Sequence, residues 1–185
     1  RPKQRSFGGV GIDLGHYGAD LRPRTSLAGL LDRLVRVGGL RWLRLSSMLP
    51  AYFTEDALEI LTTSPAIAPH FHVPLQSGSD RVLRLMRRPY TLAYYRDLVD
   101  SIVDVLPHAS IGTDMIVGFP GETADDFEAD VSYLPTSPLS HVHVFPYSDR
   151  PGTEAEAMSA KVPGTVIRER GARLRALGAE INRRF

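Results

Sequence analysis

The stretch Ala109-Ser-Ile-Gly-Thr-Asp-Met-Ile-Val-Gly-Phe-Pro-Gly-Glu-Thr-Ala-Asp-Asp-Phe127 holds a strand, a turn and the start of a helix in direct succession. Ala109 to Val117 is a short apolar run of the kind a buried strand requires. Gly118-Phe119-Pro120-Gly121 breaks it. Thr123 then caps a helix whose first residues include Asp125, Asp126 and Glu128, acids that a helix N-terminus favours, with Phe127 and Val131 on the buried side. Working outward, the same unit repeats. Upstream, a strand is expected from about Phe7 to Leu14, followed by a turn-rich stretch through His16, Gly18 and Pro23. A helix capped at Thr25 or Ser26 carries Leu27, Leu30, Leu31 and Leu34 and stops at Gly38-Gly39. The next strand is Leu40 to Leu45, ending in Ser46-Ser47. A helix from Thr54 to Thr62 carries Leu58 and Leu61 and closes at Pro65. The third strand, Phe71 to Leu75, runs into Gln76-Ser77-Gly78-Ser79. A short helix, Asp80 to Arg87, precedes a longer one capped by Thr91, which carries Leu98, Ile102 and Val105 and ends at Pro107. Downstream come a strand from His141 to Phe145, a loop from Pro146 to Pro163, and a helix from Thr165 to Arg183 with Ile167, Leu174, Leu177 and Ile181 at core spacing.

Strands joined in series by helical crossovers imply an α/β fold with a parallel sheet, either a partial (β/α) barrel or an open sheet. The first expected strand has no helix before it, so the sheet is expected to lack its first member. Two regions are read: residues 1–163 as the partial barrel, and residues 164–185 as a basic C-terminal helix that packs on it or leads to an RNA-binding domain. That last segment carries Arg168, Arg170, Arg173, Arg175, Arg183 and Arg184, a stripe suited to nucleic-acid phosphates.

The composition sets limits on chemistry. In 185 residues, 43% hydrophobic and 23% charged residues suit a chain that buries a core, and Lys+Arg 22 against Asp+Glu 21 leaves a formal charge of +1, so no global field announces a polyanionic partner. The count of zero Cys excludes a disulfide scaffold, a catalytic thiol and a cysteine-held iron-sulfur cluster within the chain. No signal peptide and no membrane-spanning run is read, so a soluble, cytoplasmic protein is expected.

In parallel sheets ligands gather at the carboxyl ends of the strands. The loops expected there are Asp13 to Gly18, Ser46-Ser47, Gln76 to Asp80, Gly118 to Glu122 and Pro146 to Arg150. Their glycine, serine and amide groups suit a ligand with ribose hydroxyls, a carboxylate and an adenine edge. They are also the residues of ordinary caps and turns. His70, His72, His141 and His143 alternate along two strands, so each pair shares a face, and packed sheet histidines are the reading given to them rather than a metal site. Arg81, Arg84, Arg87 and Arg88 cluster just beyond the third strand, as a solvated helix face or as partners for a cofactor carboxylate or an RNA phosphate.

Four ordered strings narrow the reading: Pro74-Leu-Gln-Ser-Gly-Ser-Asp80, Met86-Arg-Arg-Pro-Tyr-Thr91, Gly112-Thr-Asp-Met-Ile-Val-Gly-Phe-Pro-Gly-Glu-Thr123, and His143-Val-Phe-Pro-Tyr-Ser148 followed by Arg150-Pro-Gly-Thr153. Together they resemble the radical S-adenosylmethionine methylthiotransferases. The wording Leu45-Ser-Ser47, Pro69-His70 and Gly112-Thr-Asp114 most resembles the branch that thiolates threonylcarbamoyladenosine in tRNA. The resemblance implies a partial six-strand barrel in which a 4Fe-4S cluster binds S-adenosyl-L-methionine and cleaves it reductively to a deoxyadenosyl radical, with an external electron donor and tRNA as partners and no membrane. The cluster cysteines of such proteins follow the first barrel strand, so this chain would supply about five of six βα units, with the first strand and cluster loop missing, and would be inactive alone. Residue by residue, the resemblance implies cofactor contacts from Gln76, Ser77, Gly78, Ser79, Asp114, Val117, Gly118, Phe145 and Tyr147, and substrate contacts from Asp13, Tyr17 and Arg88. No catalytic side chain or metal ligand is assigned. Two departures stand out: Leu49 where a glutamate is usual, and Ala68 where a cysteine often precedes Pro-His. The rivals are a degenerate nucleotide- or RNA-binding homologue, a ribosomal-protein methylthiotransferase, and an unrelated α/β enzyme using Asp13, His16 or Asp114 in acid-base work.

Overall fold

The computed structural model describes residues 5–9 and 14–185. In chain order the described elements are β1 (Arg5–Gly9), α1 (Leu27–Val35), β2 (Leu40–Leu45), α2 (Glu55–Thr63), β3 (His70–His72), α3 (Asp80–Leu85), α4 (Leu92–Val105), β4 (Ser110–Val117), α5 (Ala124–Tyr133), β5 (His141–Pro146), α6 (Glu154–Ala157) and α7 (Gly164–Arg184). All strand pairs are parallel: β1 with β2, β3 with β4, and β4 with β5. Leu43 joins the two groups, its N–H donating to Ala66 O (2.7 Å) and its carbonyl accepting from Ala68 N–H (2.9 Å). The strand order is thus β1-β2-β3-β4-β5, and no pairing among the described residues closes β5 back on β1. Of the two architectures the sequence allows, this is a partial parallel sheet of barrel type, unclosed.

The helix starts follow the capping residues. Ser26, Thr54, Ser79, Thr91, Thr123 and Thr153 each accept a backbone N–H with the side chain, and Thr123 with Asp126 forms a full capping box. One face of the sheet is buried under the helices by Phe71, Val73, Ile111, Met115 and Val117, with Leu98, Val99, Ile102, Leu174 and Ile181 from the covering layer. The other face carries His70, His72, Asp114, His141, His143 and Phe145 and stays partly open.

Several expectations are corrected. The first strand is described over Arg5–Gly9, residues 10–13 lie outside the described set, and Leu14, expected as its last residue, opens the 3-10 turn Leu14–His16. The third ladder stops after His72, with Val73 N–H making its last regular bond to Gly112 O (2.9 Å). The Thr113 hydroxyl accepts from Leu75 N–H instead (3.0 Å), and pairing resumes where Gln76 N–H donates to Asp114 O (2.8 Å) and Ile116 N–H to Gln76 O (2.9 Å). Gln76 has φ 76, a left-handed conformation that Leu and Val resist, which lets the chain leave the sheet at that point. Val105, expected in the core, is 54% exposed at the last position of α4; Tyr95 fills the core instead, its hydroxyl donating to Val73 O at 2.9 Å. The loop after β5 contains the short helix α6.

Helix α7 lies on β5, with Gly178 close enough that a Cβ would meet Val142 at 3.3 Å. Gly118 ends β4 with φ +79, and a Cβ there would fall 2.3 Å from Ile167 Cγ1 of α7. Gly152 shares the positive φ (+80) but faces open space. Gly118→Ala is therefore expected to lose about 1–2 kcal/mol for the backbone conformation plus a packing loss against α7, and Gly152→Ala only the backbone part. Urea denaturation of the two variants measures the difference; equal losses would contradict the packing role.

Candidate active site

A cavity of about 600 Å³ opens at the carboxyl ends of β4 and β5, lined in part by Gln76, Arg88, Asp114, Ile116, Phe119, Phe145, Tyr147 and Arg150. A second hollow of about 250 Å³ adjoins it, lined by Leu14, Gly15, Ser47, Met48, Leu49, Tyr52, Pro74 and Arg88. Arg88 borders both. Its guanidinium Nε is buried with no hydrogen-bond partner, and it forms no ion pair among the described residues. A buried N–H of that kind demands an acceptor. Leu49, at the position of the expected glutamate, lines the smaller hollow without an anion to offer Arg88.

The sequence-derived site residues divide sharply. Gln76, Asp114, Phe145, Tyr147 and Arg88 reach the main cavity. The side chains of Ser77 and Ser79 turn away from it: Ser77 Oγ donates to Asp130 Oδ1 (3.1 Å), and Ser79 Oγ to Asp126 Oδ1 (2.6 Å) while also capping α3. Gly78 N–H donates to Asp130 Oδ1, and a Cβ on Gly78 would stand 3.1 Å from Ala129 O, so the loop lies close against the backbone of α5 and a side chain there would have to press it outward. Val117 is fully buried. Gly118 serves the strand end and the contact with α7, and its N–H donates to Glu122 Oε2 (2.9 Å). Tyr17, 37% exposed, lines a separate hollow of about 300 Å³ with Tyr52 and Thr25. Asp13 lies outside the described residues.

What sequence reasoning missed lies mainly beneath and beside the loop. Asp126, read only as an acid that the helix N-terminus favours, is 7% exposed and receives Arg81, Ser79 and Thr123. Burial alone would raise its pKa, but those hydrogen bonds hold it well below the usual carboxylate range. The guanidinium of Arg81 is thereby committed to the fold, as are those of Arg170 (to Glu122) and Arg173 (to Glu128), which removes two members of the basic stripe read on α7. Arg87 pairs with Glu154. The histidines form a layer on the open face. His70 and His141 stack at 5.9 Å, His141 and His143 meet edge-on at 5.2 Å, and burial lowers the pKa of His70 and His141. His72 Nε2 lies 3.1 Å from Asp114 Oδ1 and His72 Nδ1 lies 2.6 Å from Ser47 Oγ. The i, i+4 spacing of Asp126 and Asp130, with Phe127 between them on the buried side, was the available signal for the first group; nothing local announces the second.

The arrangement is one of ligand holding: an apolar wall of Ile116, Phe119 and Phe145, a carboxylate at Asp114, a guanidinium at Arg88, and strand-end backbone. The cavity volume falls inside the roughly 300–1,000 Å³ of ordinary ligand pockets.

A parallel α/β sheet of barrel type with its cavity at the strand carboxyl ends defines the class. Residues 17–134 match the model of the Radical SAM superfamily, and the chain belongs to that superfamily. It is 41% identical over 176 residues to the threonylcarbamoyladenosine tRNA methylthiotransferase MtaB of Aquifex aeolicus, covering 95% of this chain and 42% of that protein. It is 44% identical over 161 residues to the tRNA-2-methylthio-N(6)-dimethylallyladenosine synthase of Mycolicibacterium vanbaalenii, covering 87% of this chain and 32% of that protein. The chain thus spans well under half the length of these curated relatives. Among solved structures, coproporphyrinogen III oxidase (HemN) from Escherichia coli matches with a TM-score of 0.67 at 16% identity over 83% of this chain and 37% of that one. The radical S-adenosylmethionine methyltransferase TsrM from Kitasatospora setae matches with a TM-score of 0.60 at 17% identity over 76% and 25%. At those identities the structures share the fold.

Asp130 gives this site a pH signature. Burial first, then the charges of Glu122 and Asp126, outweigh the bonds from Gly78 and Ser77 and push its pKa up to about 7. Between pH about 4 and about 7 the folded chain keeps a proton that the unfolded chain has released, so stability falls as pH rises through that window and levels off above it. Asp130→Asn removes this titration, so the variant should gain on the parent by on the order of a few kcal/mol between pH about 4 and 8. Denaturation at both pH values measures this; parallel pH dependence of the two proteins would contradict it.

Proposed function

We propose that this chain forms the S-adenosylmethionine-binding part of a radical methylthiotransferase that modifies an adenosine of tRNA. The observation that carries the reading is the 600 Å³ cavity, whose lining pairs an apolar wall with the Asp114 carboxylate and the guanidinium of Arg88, whose buried Nε has no partner. The identities of 41% and 44% to two tRNA-modifying relatives support it. S-adenosylmethionine fits this donor set, and when bound it supplies the hydrogen-abstracting and methyl-donating chemistry of the reaction. The chain's own residues bind and orient. Arg88 offers its unpaired N–H groups to an anionic moiety, Asp114 accepts from a hydroxyl or amino group, and Ile116, Phe119 and Phe145 keep water from the apolar faces of the ligand. An iron-sulfur cluster does not fit this chain by itself, because there is no cysteine to ligate it. Thiolates from outside these residues must hold it, and the 185 residues alone should leave S-adenosylmethionine uncleaved.

Arg150 also lines the cavity without an ion pair among the described residues. Two guanidinia suit a threonylcarbamoyl group, which brings a carboxylate, better than a dimethylallyl group, which brings no acceptor. The substrate we assign is accordingly threonylcarbamoyladenosine in tRNA, with an external reductant and a cytoplasmic location. No helix among the described residues is long and apolar enough to cross a membrane.

The test begins with the coding sequence ahead of Arg1. The protein extended in frame to include the cluster cysteines, reconstituted anaerobically with iron and sulfide, should methylthiolate threonylcarbamoyladenosine in tRNA, read by mass spectrometry of digested nucleosides. Arg88→Ala in that protein should lower kcat/KM about 10-fold or more, the loss expected for one charge-assisted contact. A gene with no such cysteines, or a product confined to dimethylallyladenosine, would overturn the respective parts of the reading.

A further inference from the structure

We propose that Ser47 and His72 are positioning residues that act through Asp114, fixing one of its carboxylate oxygens so that the other faces a hydrogen-bond donor of a nucleoside in the main cavity. The inference rests on the reading of that cavity as a nucleoside site.

Three neighbouring segments supply the chain of groups. Ser47 follows β2, His72 ends β3 and Asp114 lies within β4. Ser47 Oγ is 2.6 Å from His72 Nδ1, and His72 Nε2 is 3.1 Å from Asp114 Oδ1. A carboxylate only accepts, so Nε2 carries the hydrogen; in the neutral ring Nδ1 is then an acceptor, which the Ser47 hydroxyl satisfies by donating. The serine thus selects the tautomer that can reach Asp114. The backbone holds the same pair, since Met48 N–H donates to His72 O at 3.0 Å.

The imidazole is also walled in. Gly112 stands beside His72 in register, and its missing side chain leaves room for the His141 ring, which occupies the space 2.2 Å from where a Cβ would sit. That ring stacks on His72 at 6.3 Å with 22° between planes, while His143 meets His72 edge-on at 5.9 Å. The side chains of His72 and Asp114 are only 17% and 23% exposed, so their contact is shielded from solvent more than a surface pair. Asp114 borders the cavity, and no hydrogen bond reaches its Oδ2 among the described residues. One oxygen is fixed and one is left for a ligand, which is how a supporting shell orients a binding group.

The test uses S-adenosylhomocysteine as probe, titrated to millimolar concentration into the 185-residue chain and its variants by calorimetry. Asp114→Asn and His72→Phe should each weaken binding about 10-fold. His72→Gln, whose amide nitrogen reaches the place of Nε2, should stay within about 3-fold of the parent. The double variant His72→Phe/Asp114→Asn should bind no worse than Asp114→Asn alone, because one path is being broken twice. Ser47→Ala should leave the melting temperature in place, weaken binding about 3-fold, and shift the His72 ring nitrogen resonances from the Nε2–H tautomer toward a mixture. If His72→Phe does not fold, Ser47→Ala and His72→Gln carry the decision. A parent that binds the probe, with His72 variants that bind it equally well or whose losses multiply with that of Asp114→Asn, overturns the relay alone. A parent that does not bind overturns the nucleoside reading of the cavity, and the relay with it.

Discussion

Two carboxylates one helical turn apart on α5 hold the site together. Asp130 accepts from Ser77 and Gly78, and Asp126 accepts from Ser79, Arg81 and Thr123, so the loop that leaves β3 is fastened to the helix that follows β4. The path of the chain after β3 depends on this clamp. It sets where Gln76 turns with its positive φ, where α3 begins, and where Arg88 emerges beside the cavity. Both carboxyls are buried, yet they titrate in opposite directions: Asp126 is surrounded by donors and one guanidinium, whereas Asp130 keeps an Oδ2 with no partner. A loop fastened by hydrogen bonds to a packed helix is preorganised, and little conformational freedom is left for it to lose on binding a ligand.

A second set of ties runs to the last helix. Glu122, 6% exposed, takes Gly118 N–H and pairs with Arg170, and Glu128 pairs with Arg173. The turn after β4 is thereby locked between its strand and α7, which also stacks its arginines over Phe127. The exposed cations left on that helix, such as Arg168, Arg175 and Arg183, are fewer than the sequence count suggests.

How much of this was legible follows from the range of each interaction. Strand and helix order, and four of the six capping residues, were readable because apolar period and side-chain capping act within a few residues. The end of β3 shows the first limit: Leu75 N–H leaves the regular ladder for the hydroxyl of Thr113, distant in sequence. The site residues show the second. Asp114, Phe145 and Tyr147 were legible through the motif strings and do line the cavity, whereas Ser77 and Ser79, in an equally telling string, spend their hydroxyls on α5. A string names residues at a site but not the direction in which their side chains point. The Ser47, His72 and Asp114 chain was invisible for the same reason, because it exists only after three strands are laid side by side.

The central claim is that the cavity at the carboxyl ends of β4 and β5 is where this chain holds an adenosyl ligand. The most direct measurement is the map of backbone amide shifts as S-adenosylhomocysteine is added to the isotopically labelled chain. The account predicts that the perturbed amides cluster at Gln76, Arg88, Ile116 and Tyr147, with the exposed face of α7 unmoved. Shifts centred on α7, or on the separate hollow beside Tyr17, would contradict it.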